Sequence, residues 1–429
     1  MTATVADAPA APVSGAPIPP KKWGAAIALG VIALLSLIFF GFGTPAGSTT
    51  RFVIARKTDF IQLPSLTVPS ELAAILLSLV GLALAGWVAY RANQRRKVGI
   101  WLPIVYGMAI MGALLTWAGA GREATSIQLT GLLTSSLFLA VPLVFGALAG
   151  TLCERSGIIN IAIEGQLLAG AFLAALIGSM AGNAYAGLIA APVAGALVGL
   201  LLAIFATKYW VNQIVVGVVL NMLVVGLTGF FFSTLMSDDP SLNQPIGLEK
   251  LPIPLLSKIP VLGPVLFNQN LLVYILYVAV AVLQIMLFKS RWGLRVRAVG
   301  EHPKAADTVG IQVNRTRIRN TVLGGAVAGL GGAFFTVASG LAFGKEMTAG
   351  KGYIALAAMI LGRWSPRGAL AAALLFGFAD ALRVQLGAIG SPIPSQFLAM
   401  TPYLATIFAV AGLVGHARPP ASEGIPYKK

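Results

Sequence analysis

Apolar residues in this chain fall in runs of roughly 18 to 24, separated by short polar breaks, the length a helix needs to cross about 30 Å of hydrocarbon at 1.5 Å per residue. Twelve such segments can be marked, at about 24–41, 70–90, 100–119, 127–150, 158–178, 184–206, 213–236, 270–289, 320–343, 353–363, 368–387 and 400–415. None alternates polar with apolar positions, which excludes a membrane barrel. The tenth differs from the others. At ten or eleven residues it covers only about 16 Å, and Arg363-Trp364-Ser365-Pro366-Arg367 follows at once. A half-helix or re-entrant segment is predicted there, which is tolerated at membrane depth only where protein or a water-filled path surrounds it. The pattern predicts an all-α polytopic membrane protein with about 11–12 transmembrane segments, one of them broken or re-entrant.

Composition agrees. The 429 residues are 57% hydrophobic and 10% charged, with a mean hydropathy of +0.85, against about 25% charged in a soluble domain. Lipid must be the solvent. A net charge of +16 invites a nucleic-acid reading, but position excludes it. Arg91, Arg95, Arg96 and Lys97 cluster in one loop, and eight basic residues lie between Lys289 and Arg319. The loop at 237–269 has Asp238, Asp239 and Glu249 against Lys250 and Lys258. Lys and Arg concentrate in cytoplasmic loops, so the asymmetry orients the chain in a cytoplasmic (inner) membrane and contacts anionic headgroups. Alternating from Lys21 and Lys22, which place the N-terminus inside, every strongly basic loop falls in the cytoplasm. The modest Arg51, Arg56 and Lys57 group falls outside. With one cysteine, Cys153, and two histidines, His302 and His416, no disulfide or metal cluster can be written.

Residues 1–22 read as a disordered cytoplasmic tail, 23–122 as an added set of three helices, 127–415 as a transmembrane core and 416–429 as a short cytoplasmic tail. Within the core, Gly146/Gly150, Gly195/Gly199 and Gly325/Gly329, with Ala328/Gly332 on the adjoining ridge, have the spacing that lets helix backbones approach closely.

No catalytic apparatus is visible. The chain has no G-x-x-x-x-G-K-[ST] to bind ATP, no H-E-x-x-H and no paired carboxylates on one helix. Transport is the class left by elimination. Three stretches could carry it. In 153–166, Asn160, Glu164 and Gln166 enter a span, with Asn160 and Glu164 at i,i+4 on one helical face; Glu164 either serves a polar path or sits near the headgroups and pairs with Arg155. The loop 297–311 has room for a short helix from Pro303 to about Val309, stopped by Gly310; its Ala305-Ala306 face fits a partner groove or is plain surface. In the third stretch, 344–353 leads into the broken helix and then to Asp380, deep in an apolar run, where a charge costs about 2.5–3.5 kcal/mol on insertion scales. Asp380 either pairs with Arg383 three residues on or lines a polar path. Asn221 is either interhelical glue or a solute contact.

Four motifs in order make the chain resemble permeases of bacterial ABC importers in the branched-chain amino acid and ribose permease family, nearest the simple-sugar and nucleoside branch. They are E-R-S-G-x-I-N-I-x-x-E-G at 154–165, V-V-G-V-V-L-N at 215–221, A-V-G-E-x-P-x-A-A-x-x-x-G-I at 298–311 and G-x-I-A-L-A-A-x-I-x-G-R-W-x-P at 352–366. The resemblance implies a helix at Glu301–Gly310, including Ala305 and Ala306, that couples to a cytoplasmic ATP-binding subunit. That subunit would bind the ATP, so this chain would hold no cofactor. An extracellular solute-binding protein and a second, non-identical permease are implied too. The three N-terminal spans depart from the family core. The rival readings are a stand-alone secondary transporter, a permease for branched-chain amino acids and a membrane-embedded enzyme.

Overall fold

The computed structural model describes residues 23–55, 61–96, 98–99, 101–122, 126–391, 393–400 and 418–428. The expected N-terminal tail at 1–22 and the twelfth apolar segment at 400–415 lie outside these, apart from Met400. Among the described residues ten helices are long and apolar enough to cross a membrane. They are α1 (Trp23–Ser36, continued by a π-turn to Gly41), α2 (Ser70–Asn93), α3 (Trp101–Gly119), α4 (Leu129–Glu154), α5 (Ile163–Met180), α6 (Ala184–Thr207), α7 (Gln213–Phe231, continued to Met236), α8 (Leu271–Lys289), α11 (Val313–Ala333, continued to Gly340) and α13 (Pro366–Ala388). Between α8 and α11 lie the short α9 (Arg291–Glu301) and α10 (Pro303–Thr308). The tenth apolar segment is the eleven-residue α12 (Lys351–Leu361). The protein is an all-α polytopic membrane protein, as its periodicity predicts.

The chain divides into two compact units, one of residues 1–51 and 67–126, the other of 52–66 and 127–429. In the first, α1, α2 and α3 meet through small residues such as Ala33, Ala74 and Ala113, each fully buried. Few polar groups join them. Ser36 and Ser78 share a buried hydroxyl–hydroxyl bond of 2.9 Å, and Tyr106 donates to the Leu29 carbonyl at 2.6 Å.

The second unit is assembled on glycine. A β-carbon on Gly195 of α6 would lie 2.1 Å from the Gly325 carbonyl oxygen of α11, and one on Gly329 would lie 2.3 Å from that of Ala191. The two backbones therefore touch, as the small-xxx-small spacing predicts. α11 reaches α5 in the same way, since a β-carbon on Gly332 would lie 2.0 Å from the Leu167 carbonyl. Gly146 and Gly150 of α4 receive Ala355 and Met359 of α12 on one side and Ile163 of α5 on the other. α5 thus starts opposite Gly146 and Gly150, about 6–12 Å inward from the end of α4 at Glu154. The loop between α7 and α8 is closed by a short antiparallel pairing of Lys250–Pro252 with Asn268–Asn270.

Candidate functional site

The segment from Arg155 to Ala162 is not helical, so Asn160 precedes α5 and does not share a helical face with Glu164. This corrects the expected i,i+4 arrangement. The cause is Gly157, whose φ of +92° turns the chain beside the Arg317 guanidinium and releases an extended run into the core. Asn160 and Gln166, both fully buried, exchange amide hydrogen bonds of 3.0 and 3.2 Å, and Asn160 also donates to the Cys153 sulfur.

Glu164 stands in the first turn of α5 and also closes the first turn of α12. Its Oε1 accepts from Thr348 Oγ1 at 2.6 Å and the Gly350 amide at 2.8 Å, and its Oε2 accepts from the Gly352 amide at 2.6 Å. A carboxylate between two helix N-termini meets two favourable macrodipole ends and amide donors otherwise without partners. That offsets its desolvation. Arg155 is not its partner; that guanidinium donates to the Trp364 and Arg363 carbonyls at 2.9 and 3.3 Å. The approach is close enough that a β-carbon on Gly352 would lie 2.4 Å from the Glu164 nitrogen. Beside it, Asn221 of α7 accepts from the Gly165 amide at 2.8 Å and donates to the Ile161 carbonyl at 3.0 Å and the Tyr353 hydroxyl at 3.2 Å. Both its N–H groups are used, so Asn221 ties α7 to both broken segments.

Asp380 on α13 lies apart from this cluster. Its nearest cation is Lys351 at the start of α12, with Arg383 Nε at 4.0 Å and more exposed. The local i,i+3 pair expected from sequence is therefore the weaker of two contacts, and Lys351 is a partner that local spacing could not find.

At the end of the spans that carries the basic residues, α10 forms as expected but is shorter, ending at Thr308, and Gly310 turns the chain with φ +82°. Ala305 is exposed. Ala306 is not: it is 3% exposed and packs against Val299, Val313 and Tyr427 of its own chain, so only one of the two alanines can meet a partner. Glu301 is also engaged, accepting from the Ala421 amide at 3.1 Å. Between α9 and the start of α11 is a cleft of about 720 Å³ lined by Arg291, Arg295, Arg315 and Arg319.

Ten apolar spans, with two broken segments among those of the second unit and a short helix at the basic end, define a membrane-spanning transport subunit. The sequence profile described as "branched-chain amino acid transport system / permease component" matches residues 132–415, and the chain belongs to that family. It is the permease component of an ABC-type importer and a transport component, not an enzyme. The chain is 40% identical over 304 residues to the guanosine ABC transporter permease protein NupQ of Bacillus subtilis, covering 69% of this chain and 95% of that one. It is 38% identical to the nucleoside ABC transporter permease protein NupC of Lactococcus lactis, covering 70% and 96%. The putative glucose ABC transporter permease protein TsgC13 of Haloferax volcanii is 29% identical, over 65% and 89%. The first two organisms each supply a second, more distant permease relative, NupP at 28% and NupB at 27% identity. No solved structure matches.

Proposed function

We propose that the chain is one of two non-identical permease subunits of an ATP-driven nucleoside importer of the bacterial inner membrane. One observation carries the substrate class: the two relatives at 38–40% identity, each covered over 95% or more of its length, are named for guanosine and for nucleosides. Sugar import is the second reading, supported by the 29% identity to a putative glucose permease. The paired relatives favour a heterodimer, because this chain is nearer one member of each pair than the other. ATP is bound by a separate cytoplasmic subunit, and solute is delivered by an extracellular binding protein. The N-terminus faces the cytoplasm, as do α9 and α10. α10 presents Ala305 to the ATPase, and Gly310 ends it. Asn160, Glu164, Gln166 and Asn221 hold the broken segments that shape the path. Asp380, 13% exposed with Lys351 at 23%, faces it.

The test is uptake of radiolabelled guanosine, glucose and leucine by proteoliposomes carrying the permease pair, its ATPase and its binding protein. ATP-dependent guanosine uptake competed by other nucleosides is the expected result. Glucose or leucine uptake without guanosine uptake would overturn the substrate class. Uptake by this chain alone, driven by an ion gradient, would overturn the ATP-driven reading.

A further inference from the structure

Residues 418–428 form a strap across the basic end of the second unit. Its polar contacts reach three separate parts of the core. The Ser422 amide donates to the Gly300 carbonyl at 2.9 Å, and its hydroxyl donates to the Glu301 carbonyl at 2.9 Å, holding the end of α9. The Gly424 amide donates to the Gly157 carbonyl at 3.2 Å, holding the turn that leads into the broken segment before α5. Arg317 of α11, 1% exposed, donates to the Ile425 carbonyl at 2.8 Å and the Ser422 carbonyl at 3.5 Å. No carboxylate pairs with that guanidinium among the described residues, so the strap's carbonyls carry the solvation of a buried cation. Tyr427 covers Ala306, and the Lys428 ammonium sits 4.5 Å from the centre of the Trp210 ring, ahead of α7. Burial raises the Glu423 carboxyl of the strap above the ordinary range.

The strap and α10 also face each other across a second cleft, of about 590 Å³. His302, Pro303, Lys304 and Ala305 form one side and Ser422, Ile425, Tyr427 and Lys428 the other. Its lining has basic residues and no acidic ones.

We propose that residues 418–428 are the second wall of the groove that receives the ATPase, and the tie that fixes α10 to the transport core. This rests on the reading of α10 as the coupling helix. The occupant is an acidic projection of the ATPase, because the exposed cations Lys304 and Lys428 flank the groove and because Ala305, the outward face of α10, lines it. Force applied at α10 then reaches the turn at Gly157 through Ser422 and Gly424, without passing along the spans.

The test uses the assembled permease pair and ATPase, with chains ending at residue 417 and the variants Tyr427→Ala, Lys304→Glu/Lys428→Glu and Ala305→Trp. Permease abundance in the membrane, ATPase co-purification and solute imported per ATP hydrolysed are read for each. Loss of the strap or reversal of the two lysines should lower co-purification at least fivefold. Tyr427→Ala should lower import per ATP more than co-purification. A synthetic peptide of residues 418–429 should recover both in the truncated chain. If the truncated chain fails to accumulate because Arg317 is left uncompensated, the point variants decide. Wild-type co-purification and import in Tyr427→Ala and in the lysine double variant, with Ala305→Trp defective, would overturn the strap and leave the coupling helix standing. Ala305→Trp without effect would overturn the coupling helix itself.

Discussion

The two compact units of this chain solve the same problem, packing apolar helices in lipid, in different ways. In the N-terminal unit the hydrophobic windows of α1, α2 and α3 are 22%, 28% and 39% buried, and most of their apolar surface faces outward. In the second unit α4, α5 and α11 are 67–72% buried, with backbones in contact through glycine and with buried polar groups at the breaks. Hydrophobic burial does not drive association between helices already in lipid, so close backbone approach and polar contacts must supply the specificity. The first unit uses few of either. The second concentrates both where helices are interrupted, which is where a transport subunit has to keep a defined shape with unpaired backbone nearby.

Glycine substitution is the sharpest way to break this comparison. Gly195→Val and Gly325→Val place a side chain where a β-carbon already meets backbone oxygen at 2.1 and 2.3 Å, and overpacking typically costs about 1–3 kcal/mol or more. Both should lose most of their membrane-resident folded protein, seen as abundance and as monodispersity on size exclusion. Gly86→Val in α2 and Gly107→Val in α3 meet nothing within 4 Å and should accumulate normally. Equal losses in both units would erase the contrast.

Removing the charge at the helix junction should come next in size. Glu164→Ala leaves the Thr348 hydroxyl and two amides without their acceptor, at about 1–3 kcal/mol for each buried unsatisfied group. Import should be abolished and the thermal midpoint lowered. Glu164→Gln, which keeps one acceptor oxygen, should be milder on both counts. A Glu164→Ala permease with full stability and import would mean the junction is not held by this carboxylate.

Asp380 should separate function from stability. Asp380→Asn should reach the membrane and import poorly, and Arg383→Ala should be the milder change. The double variant Asp380→Leu/Lys351→Met should keep normal abundance, because the pair is only partly buried and replacing both members even of a buried pair is often close to neutral. Import should stay low; full import in the double variant would remove Asp380 from the path.

The smallest effect belongs to the N-terminal unit. Ser36→Ala or Ser78→Ala removes one interhelical bond, a change averaging about 0.6 kcal/mol in a membrane, and solute import should be unchanged. A large import defect would place the N-terminal helices in the transport cycle.

Hydropathy made the spans, the half-helix and the glycine contacts readable, because each depends on spacing within one segment. It could not supply partners far apart in sequence. Glu164 was legible as an ionisable residue entering a span, but its donors at Thr348, Gly350 and Gly352 are 184 to 188 residues away. Lys351 was hidden for the same reason: a lysine next to a glycine-rich turn reads as a surface charge until α12 is set against α13. Ala306 was misplaced outward because an Ala-Ala pair on a six-residue helix does not say which alanine faces home, and the covering residue, Tyr427, is in the segment read only as a short cytoplasmic tail. Arg317 was counted as one of eight basic loop residues, although its burial and its strap contacts set it apart.

The Glu164 junction also imposes an order on synthesis. After Glu164 leaves the ribosome, 184 more residues must follow before Thr348 exists. At about 5–20 residues per second this is a delay on the order of 10–40 s. During that interval the Glu164 carboxylate has only one of its two helix dipoles in place. The nascent permease therefore passes its most exposed stage late, and arrival of α12 converts it into a closed unit. A chain stopped before Thr348 would carry this carboxylate with none of its three donors.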